Sequence, residues 1–194
     1  MFNFKNYIKD SSQIIDSLYK SENEIIFLAR KIIKIFNNKG KLLICGNGGS
    51  CADASHFAGE LICTFEKKNR KALPAIDLNS NFAALTAWSN DFDFNSFLKR
   101  QIEALGNEND ILFLISTGGG NLKKKISVNL INAAKLAKKK KLYIISLLGK
   151  TGGELKNLSD ISIVVKCNQT SYIQEAHIVI LHIICKIIDD YYVQ

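Results

Sequence analysis

The chain has 194 residues, 47% of them hydrophobic, enough for one domain with a well-buried core and leaving no compositional break that marks a second. Its net charge of +8 suits the attraction of small anions, but the lysines concentrate at 123–125 and 138–141 with no aromatic residues between them, so a solvated helix face is the simpler reading and a nucleic-acid surface is not expected. Five cysteines without paired spacing (Cys45, Cys51, Cys63, Cys167, Cys185), no charged-then-apolar leader and no apolar run expected to reach the length of a membrane span together predict a protein of the reduced cytoplasm.

Apolar residues recur at helical spacing from Tyr7 to Asn38 (Ile8, Ile14, Leu18, Ile25, Ala29, Ile32 among them), which predicts two helices with Ser21 as the cap between them. This segment, 1–39, would precede a sheet domain over 40–194, packing on it and offering apolar surface to a second subunit. Strand-like runs at 42–45, 75–78, 111–115, 142–147 and 161–165 then alternate with helical stretches near 52–63, 94–105, 122–138, 153–158 and 171–190. Such alternation predicts a five-stranded parallel sheet flanked by helices, an α/β fold whose ligands lie beyond the carboxyl ends of the strands.

The densest information lies at 46–60. Gly46, Asn47, Gly48 and Gly49 permit a sharp turn after the first strand, and the helix that follows would aim free N–H groups at an anion. His56 and Glu60, four residues apart, stack on one face of that helix. Alone they read as a surface ion pair; placed directly after the loop they read as site residues. Cys51 in the loop reads as a small packed residue before it reads as a reactive thiol. The spacing does not match G-x-G-x-x-G, which argues against a dinucleotide enzyme.

The stretch from Gly46 to Glu60 closely resembles the GNGGS-x-A-D-A-x-H-F-x-x-E pattern of phosphoheptose isomerases, members of the sugar isomerase (SIS) fold family. The likeness continues in order through Leu85 to Asp91, Arg100 to Gly106, Ile115 to Gly119 and Ile173 to His177. It implies a single SIS domain that converts sedoheptulose 7-phosphate to D-glycero-D-manno-heptose 7-phosphate through an enediolate, supplying heptose for lipopolysaccharide or capsule. It also implies a homotetramer with active sites at subunit contacts and one Zn2+ per subunit.

By that resemblance Glu60 and His182 are base and acid, and His56, Glu60, Gln174 and His182 are the metal ligands. Asn47, Gly48, Gly49, Asn90, Asp91, Ser116, Thr117, Gly118, Asn121 and Gln174, with Glu60, line the sugar phosphate. Read from its surroundings alone, His182 sits on so apolar a helix that a core histidine is the plainer assignment; His177 reads as a structural neighbour of the site. Gln174 and His182 are eight residues apart, roughly 12 Å along a continuous helix, while zinc bonds are near 2 Å. A shared ion then requires both side chains to lean together from a frayed helix start, or a ligand from another subunit.

The chain departs from its relatives' STSGNS loop, reading Ser116-Thr117-Gly118-Gly119-Gly120-Asn121. Gln169 and Tyr172 stand where Asp and Arg are usual, and Asn79-Ser80-Asn81 replaces Thr-Thr-Asp. A second class of function is a non-catalytic SIS-fold tetrameric scaffold that binds a replication initiator. Such a scaffold has no need of Glu60 and His182 together.

Overall fold

The structure, a computed structural model, describes residues 2–193. Two helices, α1 (Phe4–Asp16) and α2 (Glu22–Asn37), are joined by a 3-10 turn (Ser17–Ser21) and lead into the sheet domain. Asn3 caps α1 by accepting from the Asn6 N–H. Ser21 lies at the start of α2 as expected but makes no side-chain capping bond.

The chain then runs β1 (Leu42–Gly46), α3 (Gly49–Ile62), β2 (Ala75–Asp77), α4 (Phe82–Asp91), α5 (Phe94–Leu105), β3 (Ile111–Ser116), α6 (Val128–Lys139), β4 (Tyr143–Gly149), α7 (Gly153–Leu158), β5 (Ile161–Val165) and α8 (Thr170–Tyr192). The five strands are all parallel in the order β2-β1-β3-β4-β5. Alternate residues of each strand enter opposite layers, which explains why the central strands read as unbroken apolar runs. Leu42, Ile44, Phe113 and Ile145 pack under α2, α3 and α8, whereas Leu43, Cys45, Leu112 and Ile144 pack under α5, α6 and α7.

Three expectations need correction. The helix placed at 122–138 begins only at Val128, because positive φ angles at Lys125 (55°) and Ser127 (50°) break the helical path, and Asn121 pairs with Ile126 to close a lysine turn. Helix α4 is an element the sequence reading does not contain; it fully buries none of its residues, and only Ala84, Leu85 and Trp88 pack partly against the core, too short a stripe to mark a helix. Finally, α8 has 23 residues and an 18-residue window of mean hydropathy 1.4, long and apolar enough by composition to cross a membrane. Its apolar residues are instead spent on the core, where Ile173, Ala176, Ile180, Leu181 and Ile184 are buried against the sheet and the N-terminal helices.

The order of the strands places the site. From β1 the chain steps outward to β2, then returns across β1 to β3, so the connections diverge between β1 and β3 and leave a crevice at their carboxyl ends. Gly46 pairs with Ile115 there, which brings the 46–49 and 116–121 loops side by side.

Candidate functional site

The β1 loop turns at Gly48, whose φ of 57° and ψ of −125° suit glycine alone, and it passes into α3 one residue later. A side chain on Gly49 is excluded for a different reason: a Cβ there would stand 2.2 Å from Nε2 of Gln174. The amide of Gln174 therefore lies on the glycine loop. Asn47 exchanges two hydrogen bonds with Asn129 at the start of α6, at 2.9 and 2.7 Å. Asn79, at the end of β2, accepts from the Gly46 N–H at 3.2 Å. The loop is thus fixed from both sides, by Asn129 and by one residue of the unusual Asn79-Ser80-Asn81 segment, whose Asn81 caps α4.

His56 and Glu60 share a face of α3, with Nε2 of His56 3.7 Å from Oε1 of Glu60. Helix α8 brings His182 to the same face, and the two Nε2 atoms are 3.0 Å apart. Phe65 stacks on His182 at 5.3 Å between centroids. His56 and Glu60 are partly open to solvent while His182 is half-buried.

The His56–His182 and His56–Glu60 spacings bracket the roughly 3.3 Å that separates two ligands of a tetrahedral zinc when each bond is near 2.0 Å. Among the described residues, however, no group of three or more His, Cys, Asp or Glu side chains is arranged so that it could hold a metal ion. Gln174 sits on a continuous α8 and points to Gly49 rather than joining His182.

Asp53, also on α3, was not singled out from sequence beyond its place in the motif. Burial raises its carboxyl pKa, while a hydrogen bond from Gln174 and the charge on His56 pull it down. Its Oδ2 is buried without a partner. His177 is fully buried and bonds through Nε2 to the Leu148 carbonyl of β4 at 3.1 Å; burial lowers its pKa to about 4, so it is a neutral strut.

The β3 loop is built from backbone. The Ser116 hydroxyl oxygen accepts from the Gly119 N–H at 3.1 Å, leaving the hydroxyl proton for an anion. The carbonyls of Gly119 and Gly120 accept from Leu155 and Glu154 N–H groups at the start of α7. A Cβ on Gly119 (φ 69°) would lie 1.9 Å from the Gly152 carbonyl, whereas Gly118 has open space on its Cβ side. Thr117 and Gly118 are half-buried. The Asn121 carboxamide is committed elsewhere: its Oδ1 accepts from the Lys124 N–H and shapes the lysine turn. Asn90 and Asp91 stand exposed at the end of α4, where Asn90 donates to Asp91 at 2.9 Å; among the described residues neither bonds to the other candidates.

The SIS domain family model matches residues 6–149. A phosphoheptose isomerase of Campylobacter jejuni is 49% identical over 78% of this chain and 77% of its own length, and one of Helicobacter pylori is 44% identical over 83% and 80%. In structure, a phosphoheptose isomerase from Francisella tularensis superposes with a TM-score of 0.88 at 34% identity, covering 96% of each chain.

Proposed function

The chain belongs to the phosphoheptose isomerases of the SIS domain family, and we propose that it interconverts sedoheptulose 7-phosphate and D-glycero-D-manno-heptose 7-phosphate with Glu60 and His182 as its proton-transfer pair. The observation that carries this reading is the meeting of His56 and Glu60 from α3 with His182 from α8 at the crevice between β1 and β3.

An aldose-ketose isomerisation moves one carbon-bound proton between neighbours. The Glu60 carboxylate takes the proton from C1 as His182 gives one to the C2 carbonyl oxygen, producing an enediol. Return of the carbon-bound proton to C2, with loss of the O1 proton, leaves the aldehyde at C1. The phosphate sits on the β3 loop, with Ser116, Thr117 and the backbone of Gly118 as donors. Asn47, Gly48, Gly49 and Gln174 line the sugar, and Asn90 and Asp91 contact its hydroxyls. Asn121 keeps an indirect part by shaping the lysine turn.

One zinc ion per subunit, held by His56, Glu60 and His182, would supply positive charge beside the enediolate oxygens. Glu60 cannot be a tight ligand and a free base at once, so the ion would rest mainly on His56 and His182. Gln174 joins this set only if its amide leaves Gly49. Protein purified without chelator should carry about one equivalent of zinc by elemental analysis, and His56→Ala should lose most of it; unchanged metal content would move the site elsewhere.

The active form is a homotetramer in the cytoplasm. Supporting this, Phe4, Ile8, Tyr19 and Phe27 are exposed on the N-terminal helices, a groove of about 600 Å3 runs between Leu18, Ile26 and Ile183, and all five cysteines are free. Light scattering at micromolar concentration checks the tetramer; an active monomer would rule out a site shared between subunits.

The heptose product would feed a surface polysaccharide, lipopolysaccharide or capsule. Incubation with a panel of ketose phosphates should yield an aldose phosphate from sedoheptulose 7-phosphate, and no aldose from any of them would overturn the reading.

A further inference from the structure

The segment 63–70, between α3 and β2, has little regular structure, yet it is held tightly from α8. The Asp189 carboxylate accepts from the backbone N–H groups of Glu66 and Lys67 at 2.9 and 3.0 Å, and from Nε of Arg70 at 2.6 Å. Arg70, only 5% exposed, turns the rest of its guanidinium to backbone carbonyls. Nη1 donates to Leu61 at 2.9 Å and to Lys71 at 2.6 Å, and Nη2 donates to Glu60.

The carbonyls of Glu60 and Leu61 belong to the last turn of α3, where no further helical N–H can reach them and where a cation is favoured by the helix dipole. A buried ion pair is a poor way to gain stability, because desolvating both charges costs several kcal/mol. What this pair does gain is geometry. It ties the end of α3 that carries Glu60 to a point on α8 seven residues beyond His182. It also pins both residues that follow Phe65, whose ring lies on His182 at an interplanar angle of 26°. His182 also meets His56 edge-on at 69°, with the two Nε2 atoms in contact. Cys185, which feels the charges of Glu60 and Asp189, is pushed up to about 12, first by burial and then by those carboxylates, and adds no charge of its own.

We propose that Arg70 and Asp189 form a positioning clasp for the acid/base site, setting the rotation of α3 against α8 and laying Phe65 on the ring of His182. The clasp rests on the assignment of Glu60 and His182 as the proton-transfer pair. It is a role for residues outside the reacting shell, and it makes the loop 63–70 part of the catalytic apparatus.

Histidine-ring NMR combined with kinetics tests it. The chain has three histidines; His177 is set apart by its full burial, and the spectrum of His56→Gln separates His56 from His182. In the wild type, ring current from Phe65 should displace the His182 ring protons, a signal that does not depend on the reaction. Arg70→Met should abolish the displacement without altering either ring and should lower kcat about tenfold to a hundredfold with KM within about twofold, since misplacement near 1 Å has that cost. Arg70→Lys, which keeps the charge but not the fork, should recover only part of the rate.

A folded Arg70→Met that retains the displacement and wild-type kcat overturns the proposal. Should that variant not fold, Phe65→Leu decides. It leaves the clasp intact and should lose the displacement together with several-fold in kcat; an unchanged kcat overturns the positioning role. Wild-type protein that shows the displacement but turns over no ketose phosphate removes the isomerase assignment instead, so the two failures are told apart.

Discussion

The loops that leave β1 and β3 stand side by side but work by different means. After β1 the candidate site is made of side chains: two residues of α3 and one of α8 meet within 3.0 to 3.7 Å. After β3 the chemistry is in the backbone, where Gly118 to Gly120 present main-chain groups and Ser116 holds the turn. Side-chain sites fail abruptly on single substitution. A backbone site tolerates change wherever there is room and fails where there is none.

The sharpest way to separate the two regions is to remove a proton-transfer group. Glu60→Gln and His182→Asn should each cut kcat by at least about 10²-fold while leaving KM within a small factor, because the phosphate loop is untouched. Steady-state kinetics checks both; near-wild-type turnover in either removes it from the acid/base pair.

His177 joins the regions, since its bond to Leu148 fixes α8 to the strand beside Ser116. The folded state keeps this imidazole neutral down to about pH 4, whereas in the unfolded chain it protonates near 6.5. Between those values the unfolded state binds more protons, so stability falls as the pH is lowered, by roughly 3 kcal/mol at most from this group. Urea midpoints across that window should show the loss, and His177→Gln should flatten it. An unchanged slope would assign acid sensitivity to other groups.

Within the β3 loop the contrast is between neighbours. Gly119→Ala forces a side chain against the Gly152 carbonyl at positive φ and should destabilise by about 2 kcal/mol and raise KM. Gly118→Ser meets open space and adds a hydroxyl donor, so it should lower KM for sedoheptulose 7-phosphate about threefold with kcat unchanged. Thermal melts and KM measurements read both. Weaker binding by Gly118→Ser would show the glycine loop to be specialised for a different phosphate ester.

The same division explains what the sequence disclosed. All five strands and their parallel order of alternation were legible, since strands buried on both faces must be continuously apolar. The β1 site was legible because its donors sit at fixed short spacing in one motif, and His182 because its surrounding helix belongs to a matched region. Hidden were the partners that act across the fold: Asn129 for Asn47, and Asp189 for Arg70, pairs 82 and 119 residues apart with no spacing to mark them. Lysine and leucine at 122–125 suggested helix by propensity, whereas Asn121 and Glu154 bind the Lys124 and Leu122 N–H groups into a turn. Gln169 at the head of α8 and Tyr172, edge-on to Tyr7 at 4.9 Å, show no contact that takes over from the usual Asp and Arg.

The central claim is that Glu60 moves the carbon-bound proton, and hydrogen exchange tests it without relying on net turnover. With sedoheptulose 7-phosphate in D2O, proton NMR of the wild type should show deuterium entering C1 of the ketose as the solvent-facing carboxylate trades its proton, and Glu60→Gln should show none. Exchange by Glu60→Gln at the wild-type rate would contradict the account.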